Sequence, residues 1–446
     1  MSEPVASSGK GMKLHTKILL GLVVGLVFGI TVNLTVGTEN PTVEMVNDYV
    51  AVPVGQVFLR LLFMVVMPLV FASIALGVAG IGDIRKAGRI GGKAIGYFFV
   101  TTALATSLGL IVVNLMRPWE RIAPETRAEL MERFAGDAAS RVQTSQQQNF
   151  GVDTFINIVP RNPIDAAART DLLGVIFFGL SFGAALTLIP AAKAKPMIDV
   201  LEGLNAVVTA IIHFAMLLAP FGVAALIFTV SSRFGFDLLI AVAAFVVTVL
   251  VALLAHVTFT LSAIIRFLIG MSPLLFYSRI RAALVTAFST SSSAATLPTA
   301  IDIAQEQLGV PLRIAGFVLP IGSTMCMNGT AIFEGITVIF LAEIFGVDLS
   351  LGQMTAVMIM CVITAIGAAG VPGGSIPLLV GVLTMFGVPG EGIAIVLGVD
   401  RILDMSRTTV NVCSDLTAAT WVARSERMWS PDQIPAPAKA IAEATP

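Results

Sequence analysis

The stretch DRILDMSRTTVNVCSD, residues 400–415, places five charged side chains between two largely apolar segments. The five are Asp400, Arg401, Asp404, Arg407 and Asp415. If the stretch is an α-helix, positions 400, 404, 407, 411 and 415 fall within a stripe roughly 80° wide. The stripe then carries Asp400, Asp404, Arg407, Asn411 and Asp415, with Thr408 at its margin. The sequence therefore predicts a helix with one strongly polar face in an otherwise apolar region.

The composition of the whole chain indicates a polytopic membrane protein. Of its 446 residues, 56% are hydrophobic and 12% are charged, and the mean hydropathy is +0.91. Soluble domains carry about 25% charged residues, and several apolar runs here reach the ~20 residues that a bilayer-spanning helix needs. The net charge of −1 gives no electrostatic basis for a nucleic-acid partner.

Cysteine and histidine indicate neither a disulfide framework nor a metal centre. The cysteines form no CxxC pair, and the histidines are too scattered for a His–Cys cluster. They are Cys326, Cys361, Cys413, His15, His213 and His256. The N-terminal sequence MSEPVASSGKGMKLHTK lacks a signal-peptide cleavage site, so we expect the first apolar run to be retained as a membrane span.

Eight apolar segments are candidates for membrane spans. They lie near residues 17–36, 51–82, 94–116, 172–191, 205–231, 236–269, 312–345 and 391–422. Lysine and arginine cluster before the first and after the second and fourth, which predicts a cytoplasmic N-terminus, an even number of spans and a cytoplasmic tail over 425–446. The longest polar connection, 117–170, is expected to be a solvated loop on the other side. The short loops favour a bacterial inner membrane.

Two further regions predict re-entrant hairpins that enter and leave the membrane on one face. Residues 272–307 contain AFSTSSSAATLPTA, and residues 352–390 contain AIGAAGVPGGSIPLL. Each has a polar or glycine-rich centre between apolar arms shorter than a full span. Taken singly, they also fit a flexible linker or a turn. Paired interrupted segments, however, are the best sequence indication of a transporter's binding site.

The charged face needs a partner, because one charge at the bilayer centre costs at least ~2.5–3.5 kcal/mol. One alternative is a set of internal salt bridges, such as Asp404 with Arg407 at i,i+3. The other is a site, since carboxylate and amide oxygens suit hard cations and an arginine fork suits a carboxylate. An intramembrane aspartic protease would need a second Asp-containing motif on another helix, and the sequence has none. A channel would favour repeated rings of charge, whereas the charge here is concentrated on one helix.

Four motifs together make the chain resemble the glutamate transporter family, the dicarboxylate/amino acid:cation symporters, over roughly residues 13–424. They are STSSSAATLP (289–298), MCMNGTA (325–331), GVPGGS (370–375) and DRILDMSRTTVNVCSD (400–415). The resemblance implies an all-α polytopic membrane protein with eight transmembrane helices plus two re-entrant helical hairpins. It also implies a transport domain (about 92–117 and 236–424) that moves like an elevator against a scaffold (about 13–82 and 172–232), which assembles a homotrimer.

By motif position, the resemblance implies that Arg407 binds the side-chain carboxylate of the substrate and that Asp404 accepts its α-ammonium group. Hydroxyl and amide side chains, and main-chain groups of the hairpin tips, would complete the site. These are Thr330, Thr408, Asn411, Ser292, Ser293, Val371 and Gly373. Pure dicarboxylate carriers of the family lack an acid at the position of Asp404, and neutral amino-acid carriers lack the Arg at 407. With both present, aspartate or glutamate is the leading substrate.

The implied cation sites depart from the family in one motif. Where the family has Asn-Met-Asp-Gly-Thr, this chain has Cys-Met-Asn-Gly-Thr at 326–330. A thiol is a poor sodium ligand and an amide lacks the carboxylate charge, so we expect the deepest sodium site to be lost or badly weakened. A second implied site, near Asp415, Asn411 and the Gly322 carbonyl, loses one ligand but keeps its carboxylate. A third, built from Thr324, Met327 and carbonyls of 365–368, is expected to be intact, and Asn328 is a doubtful ligand. Fewer coupled sodium ions are therefore expected, with protons as possible substitutes.

The first hairpin tip also departs from one family pattern, in which an arginine precedes the serines. Thr290 and Ser291 stand there in this chain. Arg401 adds positive charge on the eighth span instead, about 100° round the helix from Asp400. We expect it to screen Asp400 or Asp404 through space.

Together these features predict a secondary active symporter that imports aspartate or glutamate with sodium or protons as the coupling cation. No organic cofactor and no enzymatic activity are expected. A C4-dicarboxylate:cation symporter of the same fold is the alternative.

Overall fold

The computed structural model describes residues 12, 14–37, 40–80, 84–123, 127–128, 159–169, 171–368, 370 and 372–434. Throughout these ranges the regular structure is helical, and they contain no β-strand. The helices of the N-terminal part are α1 (Leu14–Thr35), α2 (Pro41–Val46), α3 (Val52–Phe63), α4 (Val66–Gly80), α5 (Ile84–Met116), α6 (Pro163–Ala168), α7 (Leu172–Leu188) and α8 (Ala191–Ala255).

Helix α8 is the central helix of the N-terminal part, against which α1, α3, α4 and α5 pack. Small residues allow α1 to cross it closely: a Cβ on Gly21 would lie 2.2 Å from the carbonyl oxygen of Pro220, and one on Gly25 would lie 2.3 Å from that of Ala224. The helix bends at Gly235, whose φ of 59° favours glycine. Beyond Ala255 it continues into two π-helical turns, His256–Leu261 and Ile264–Ile269.

The C-terminal part consists of two helical hairpins and four further helices. Its helices are α9 (Pro273–Thr290), α10 (Ser293–Glu306), α11 (Leu312–Met325), α12 (Asn328–Ile344), α13 (Leu351–Gly367), α14 (Ile376–Met385), α15 (Ala394–Leu397) and α16 (Asp400–Ser425). Helices α9 and α10 form hairpin 1, and α13 and α14 form hairpin 2. The two helix pairs lie within the ranges 272–307 and 352–390, apart from Leu351 at the start of α13, and re-entrant hairpins remain a prediction for both. Between α11 and α12 the helix is broken at Cys326 and Met327.

Within the ranges described above, six helical segments are long and apolar enough to cross a membrane, by length and composition. They are Thr16–Thr35, Pro41–Leu76, Arg89–Arg121, Ala191–Arg233, Leu239–Ile269 and Leu312–Ile344. The other two predicted spans are also helices, but each differs from a standard span. Helix α7 has 17 residues, about 26 Å of helix, and α16 carries the charged stripe.

Two segments predicted to be solvated are partly packed. In the 117–170 connection, Trp119 and Ile122 are buried against the core, and α6 follows near its end; residues 124–126, 129–158 and 170 lie outside the described ranges.

In the tail, Trp429 is buried and donates to the Leu308 carbonyl at 2.7 Å. Arg89 and Lys93 of α5 donate hydrogen bonds to Glu426, just after α16, and so join the end of α16 to α5. These bonds lower the pKa of Glu426 to about 2.

Candidate functional site

A central cavity of about 260 Å³ lies where the tips of both hairpins meet α12 and α16. Its lining is rich in hydroxyl, carboxylate and guanidinium groups. The lining residues are Ser291, Ser293, Met327, Thr330, Ala368, Gly370, Ser375, Asp404, Arg407, Thr408 and Asn411. Because the lining is polar and carries both a carboxylate and a guanidinium, the cavity suits a small polar ligand.

Arg407 is held on three sides within this cavity. Its Nη1 contacts Asp400 Oδ1 at 2.8 Å, and its Nη2 contacts Asp404 Oδ1 at 2.9 Å. Its guanidinium carbon lies 4.4 Å from the ring centre of Phe333, a cation–π distance. The side chain is only 2% exposed. The internal salt bridge between Asp404 and Arg407, one of the two alternatives from the sequence, is therefore present, and Arg407 lines the cavity as well.

Asp404 is also engaged through its second oxygen. Oδ2 accepts the main-chain N–H of Gly373 at 3.3 Å and lies 3.7 Å from Arg401 Nη1. Gly373, one of the main-chain groups that the resemblance assigns to the substrate site, thus contacts Asp404. The sequence left open whether Arg401 screens Asp400 or Asp404, and the ion pair observed is with Asp404. Sequence reasoning identified Asp400 on the polar face but not as a partner of Arg407.

Asn411 joins α16 to the start of α12. Its Oδ1 accepts the main-chain N–H of Gly329 at 2.7 Å, and its Nδ2 donates to Thr330 Oγ1 at 3.1 Å. A Cβ on Gly329 would lie 2.4 Å from the carbonyl oxygen of Arg407, so the two helices approach each other at backbone distance. This contact brings Thr330, Thr408 and Asn411 to one wall of the cavity, as the sequence predicts.

The hairpin tips meet through Ser292, whose Oγ donates to the Gly370 carbonyl at 2.7 Å. Ser293 lines the cavity, as predicted, whereas Ser292 is used to join the tips. Sequence reasoning did not single out Ser291 or Ser375 as ligands. Both hydroxyls are buried, and neither has a hydrogen-bond partner within the part of the chain that the structure describes. Val371, the remaining predicted residue, lies outside the described residues.

Asp415 forms a second, deeper site beside α11. Its Oδ1 is buried and has no hydrogen-bond partner among the described residues. A Cβ on Gly322 would lie 2.6 Å from that oxygen, so the absent side chain leaves the backbone of α11 close to the carboxylate. A buried carboxylate oxygen without a protein partner is the kind of ligand that a hard cation takes. Asp415 is therefore the residue of this region that could hold a cation.

The other predicted cation ligands are only partly brought together. Met327 lies with Asn411, whose Nδ2 contacts its sulfur at 3.1 Å, and it lines the central cavity beside Ala368. Thr324, by contrast, is exposed, and its hydroxyl donates to the carbonyl of Ile321 in its own helix at 3.0 Å. Of the implied third site, Met327 and Ala368 thus both line the central cavity, whereas the Thr324 hydroxyl is engaged within its own helix.

Asn328 is fully engaged in a neutral buried network. Its Oδ1 accepts Thr102 Oγ1 at 2.8 Å, and its Nδ2 contacts Ser414 Oγ at 3.1 Å and His256 Nε2 at 3.2 Å. The Cys326 thiol lies 3.9 Å from the same Oδ1. Two donors and two acceptor positions are all that an amide offers. No lone pair of Asn328 is left for a cation. The contact with His256, 72 residues away, was not foreseen.

Glu334 is a further buried carboxyl group that sequence reasoning missed. It is fully buried, and its Oε2 accepts the Thr364 hydroxyl at 2.8 Å. Within the described ranges its Oε1 has no hydrogen-bond partner. The signal was present in the sequence, because an acid inside the apolar run NGTAIFEGITVIF marks a functional position by default.

Comparison with known proteins relates the chain to a family of symporters. A model of the sodium:dicarboxylate symporter family matches residues 14–425. The chain is 33% identical to the proton/sodium-glutamate symport protein of Bacillus caldotenax, over 85% of this chain and 89% of that protein. It is 33% identical to the proton/glutamate-aspartate symporter of Escherichia coli (strain K12), over 84% and 85%. It is also 34% identical to the C4-dicarboxylate transport protein of Bacillus subtilis (strain 168), over 84% and 87%.

Proposed function

The chain belongs to the sodium:dicarboxylate symporter family, and from this premise we propose that it is a secondary active symporter that imports aspartate or glutamate with a cation. The observation that carries the proposal is the pairing of Arg407 with Asp404 at 2.9 Å in one cavity. A guanidinium suits a carboxylate, and a carboxylate suits an ammonium group. The unpaired hydroxyls of Ser291 and Ser375 supply donors for a second carboxylate.

A C4-dicarboxylate:cation symporter is the second candidate, for a specific reason. Asp404 already has Arg407, Arg401 and the Gly373 N–H around it, so a substrate without an amine would leave it satisfied. A relative with that activity in its name is 34% identical to this chain. The two candidates differ in whether Asp404 contacts an ammonium group.

Counterflow of radiolabelled aspartate and succinate in proteoliposomes tests the choice. Asp404→Ser is expected to weaken aspartate uptake by about a hundredfold, as for removal of a buried charge partner, and to weaken succinate uptake far less. Asp432→Ser, in the segment after α16, is the matched control and should change neither. Equal losses for the two substrates in Asp404→Ser would count against an amine-binding role.

The proposed architecture follows the family: eight spans and two re-entrant hairpins, with a transport domain of residues 92–117 and 236–424. This domain would move as an elevator against a scaffold of residues 13–82 and 172–232, which forms a homotrimer. The proposed location is a bacterial inner membrane, with both termini in the cytoplasm. The break of α8 at Gly235 supports this division, because it coincides with the boundary between the two parts.

For the coupling cation we propose one site at Asp415 and none at Asn328. The unpaired oxygen of Asp415 supports the first, and the saturated amide of Asn328 supports the second. Protons would replace the missing cation, and Glu334 is a candidate carrier, because it is a buried carboxyl group with one oxygen unpaired among the described residues.

The sodium dependence of aspartate uptake in proteoliposomes tests this coupling. A Hill slope clearly below three is expected, and an imposed pH gradient should drive uptake, because fewer sodium ions and at least one proton accompany the substrate. The matched control is the same assay with the pH gradient collapsed by an ionophore. A Hill slope near three with no effect of the pH gradient would contradict the proposal.

A further inference from the structure

Arg401 lies on α16 about 120° round the helix from Arg407, and it contacts the other oxygen of Asp404. Its Nη1 lies 3.7 Å from Asp404 Oδ2, and its side chain is 11% exposed. Its Nε is buried and, among the residues described, has no hydrogen-bond partner. The guanidinium is therefore aimed at Asp404 without being fixed by a hydrogen bond of its own.

The two carboxylate oxygens of Asp404 contact different partners. Oδ1 contacts Arg407, which is also bound to Asp400. Oδ2 faces Arg401 and accepts the Gly373 N–H. Two aspartates and two arginines thus form a balanced group of four charges. The pair at Oδ2 is the loose one, because 3.7 Å exceeds the normal length of a hydrogen bond.

A substrate amine and Arg401 would compete for the same oxygen. An ammonium group that enters the cavity gains Asp404 only if it shares or displaces the Arg401 contact. A dicarboxylate has no ammonium group, so it leaves Arg401 on Asp404 and benefits from the additional positive charge. Arg401 therefore favours amine-free substrates relative to amine-bearing ones.

We propose that Arg401 is a positioning residue that holds Asp404 in the absence of a substrate amine and so sets the preference between amino-acid and dicarboxylate substrates. This role rests on the proposed function, since it requires both kinds of ligand to enter the central cavity. It differs from that of Arg407, which contacts the ligand directly, because Arg401 acts through Asp404.

The test is the ratio of dissociation constants for aspartate and succinate, measured by radioligand binding to the purified full-length protein. Arg401→Gln is expected to shift the ratio toward aspartate by about tenfold or more, as for loss of a close charge pair. Arg401→Lys keeps the charge and should stay within about threefold of the unmodified ratio. Arg424→Gln, at an exposed position of the same helix, is the matched control and should leave the ratio unchanged.

A purely structural arginine would alter both affinities together, so the ratio separates the two roles. An unchanged ratio in Arg401→Gln, with both ligands still bound, overturns the role of Arg401 and leaves the proposed function intact. Binding of neither ligand by the unmodified protein overturns the proposed function itself. If Arg401→Gln does not fold, Arg401→Met provides the same comparison with a neutral side chain.

Discussion

Replacing Arg407 by methionine is expected to abolish aspartate uptake and to destabilise the protein. Arg407 is the cation for both Asp400 and Asp404, at 2.8 and 2.9 Å, and it is almost fully buried. Removing one partner of a buried ion pair costs about 3–5 kcal/mol, because the remaining charge is left uncompensated. Separately, the affinity for aspartate is expected to fall by about a hundredfold or more, because the substrate carboxylate loses its charged partner, as measured by radioligand binding.

The loss of binding can be separated from the loss of stability. In Arg407→Met with Asp400→Asn, the uncompensated carboxylate of Asp400 is gone, so the thermal midpoint of unfolding should recover part of its decrease. Aspartate binding should not recover, because no cation faces the substrate carboxylate. Arg424→Met, at an exposed position of α16, should affect neither measurement. Aspartate binding of unmodified strength in Arg407→Met would contradict the assigned role.

The polar face of α16 was predictable because it depends only on helical periodicity and on the cost of charge in an apolar region. Asp404, Arg407 and Asn411 all line the cavity as predicted. The pairing within that face was not predictable in full. Spacing allows Arg407 to reach Asp404 at i−3, but the contact with Asp400, seven residues away, lies beyond the reach of that spacing rule.

The hairpins were predictable as segments, but not the serine that would face the cavity. Ser291 adopts a left-handed backbone conformation, with φ of 52°, which directs the chain so that Ser291 and Ser293 line the cavity. Ser292 instead caps α10, where its Oγ accepts the Ala295 N–H at 3.1 Å. A sequence of consecutive serines gives no sign of where this reversal falls.

Contacts between distant segments account for the other differences. The Asn328–His256 contact joins α12 to the π-helical turn after α8, and no local pattern links residues so far apart. The burial of Trp429 likewise depends on the position of Leu308 at the end of hairpin 1. Composition and periodicity do not record which of these distant surfaces meet.

The cation site gives the second large effect. Asp415→Asn is expected to raise the cation concentration for half-maximal aspartate uptake by about tenfold or more, since changes even beyond the ligand shell cost 10–100-fold in metal affinity. The amide keeps the shape of the side chain but removes the charge that a hard cation needs. The measurement is aspartate uptake in proteoliposomes against sodium concentration and, separately, against the imposed pH gradient.

Gly322→Ala tests the same site without changing any charge. Its new Cβ would lie 2.6 Å from Asp415 Oδ1, inside van der Waals contact, so either the carboxylate or α11 must shift and the space for a cation is lost. Gly316→Ala is the matched control on the same helix, because its Cβ would lie 3.5 Å from its nearest neighbour, Leu312, an ordinary contact. Cation dependence should change in Gly322→Ala as in Asp415→Asn, and should be unchanged in Gly316→Ala. If Gly322→Ala retained the unmodified cation dependence, the cation would have to bind elsewhere than between Asp415 and the backbone of α11.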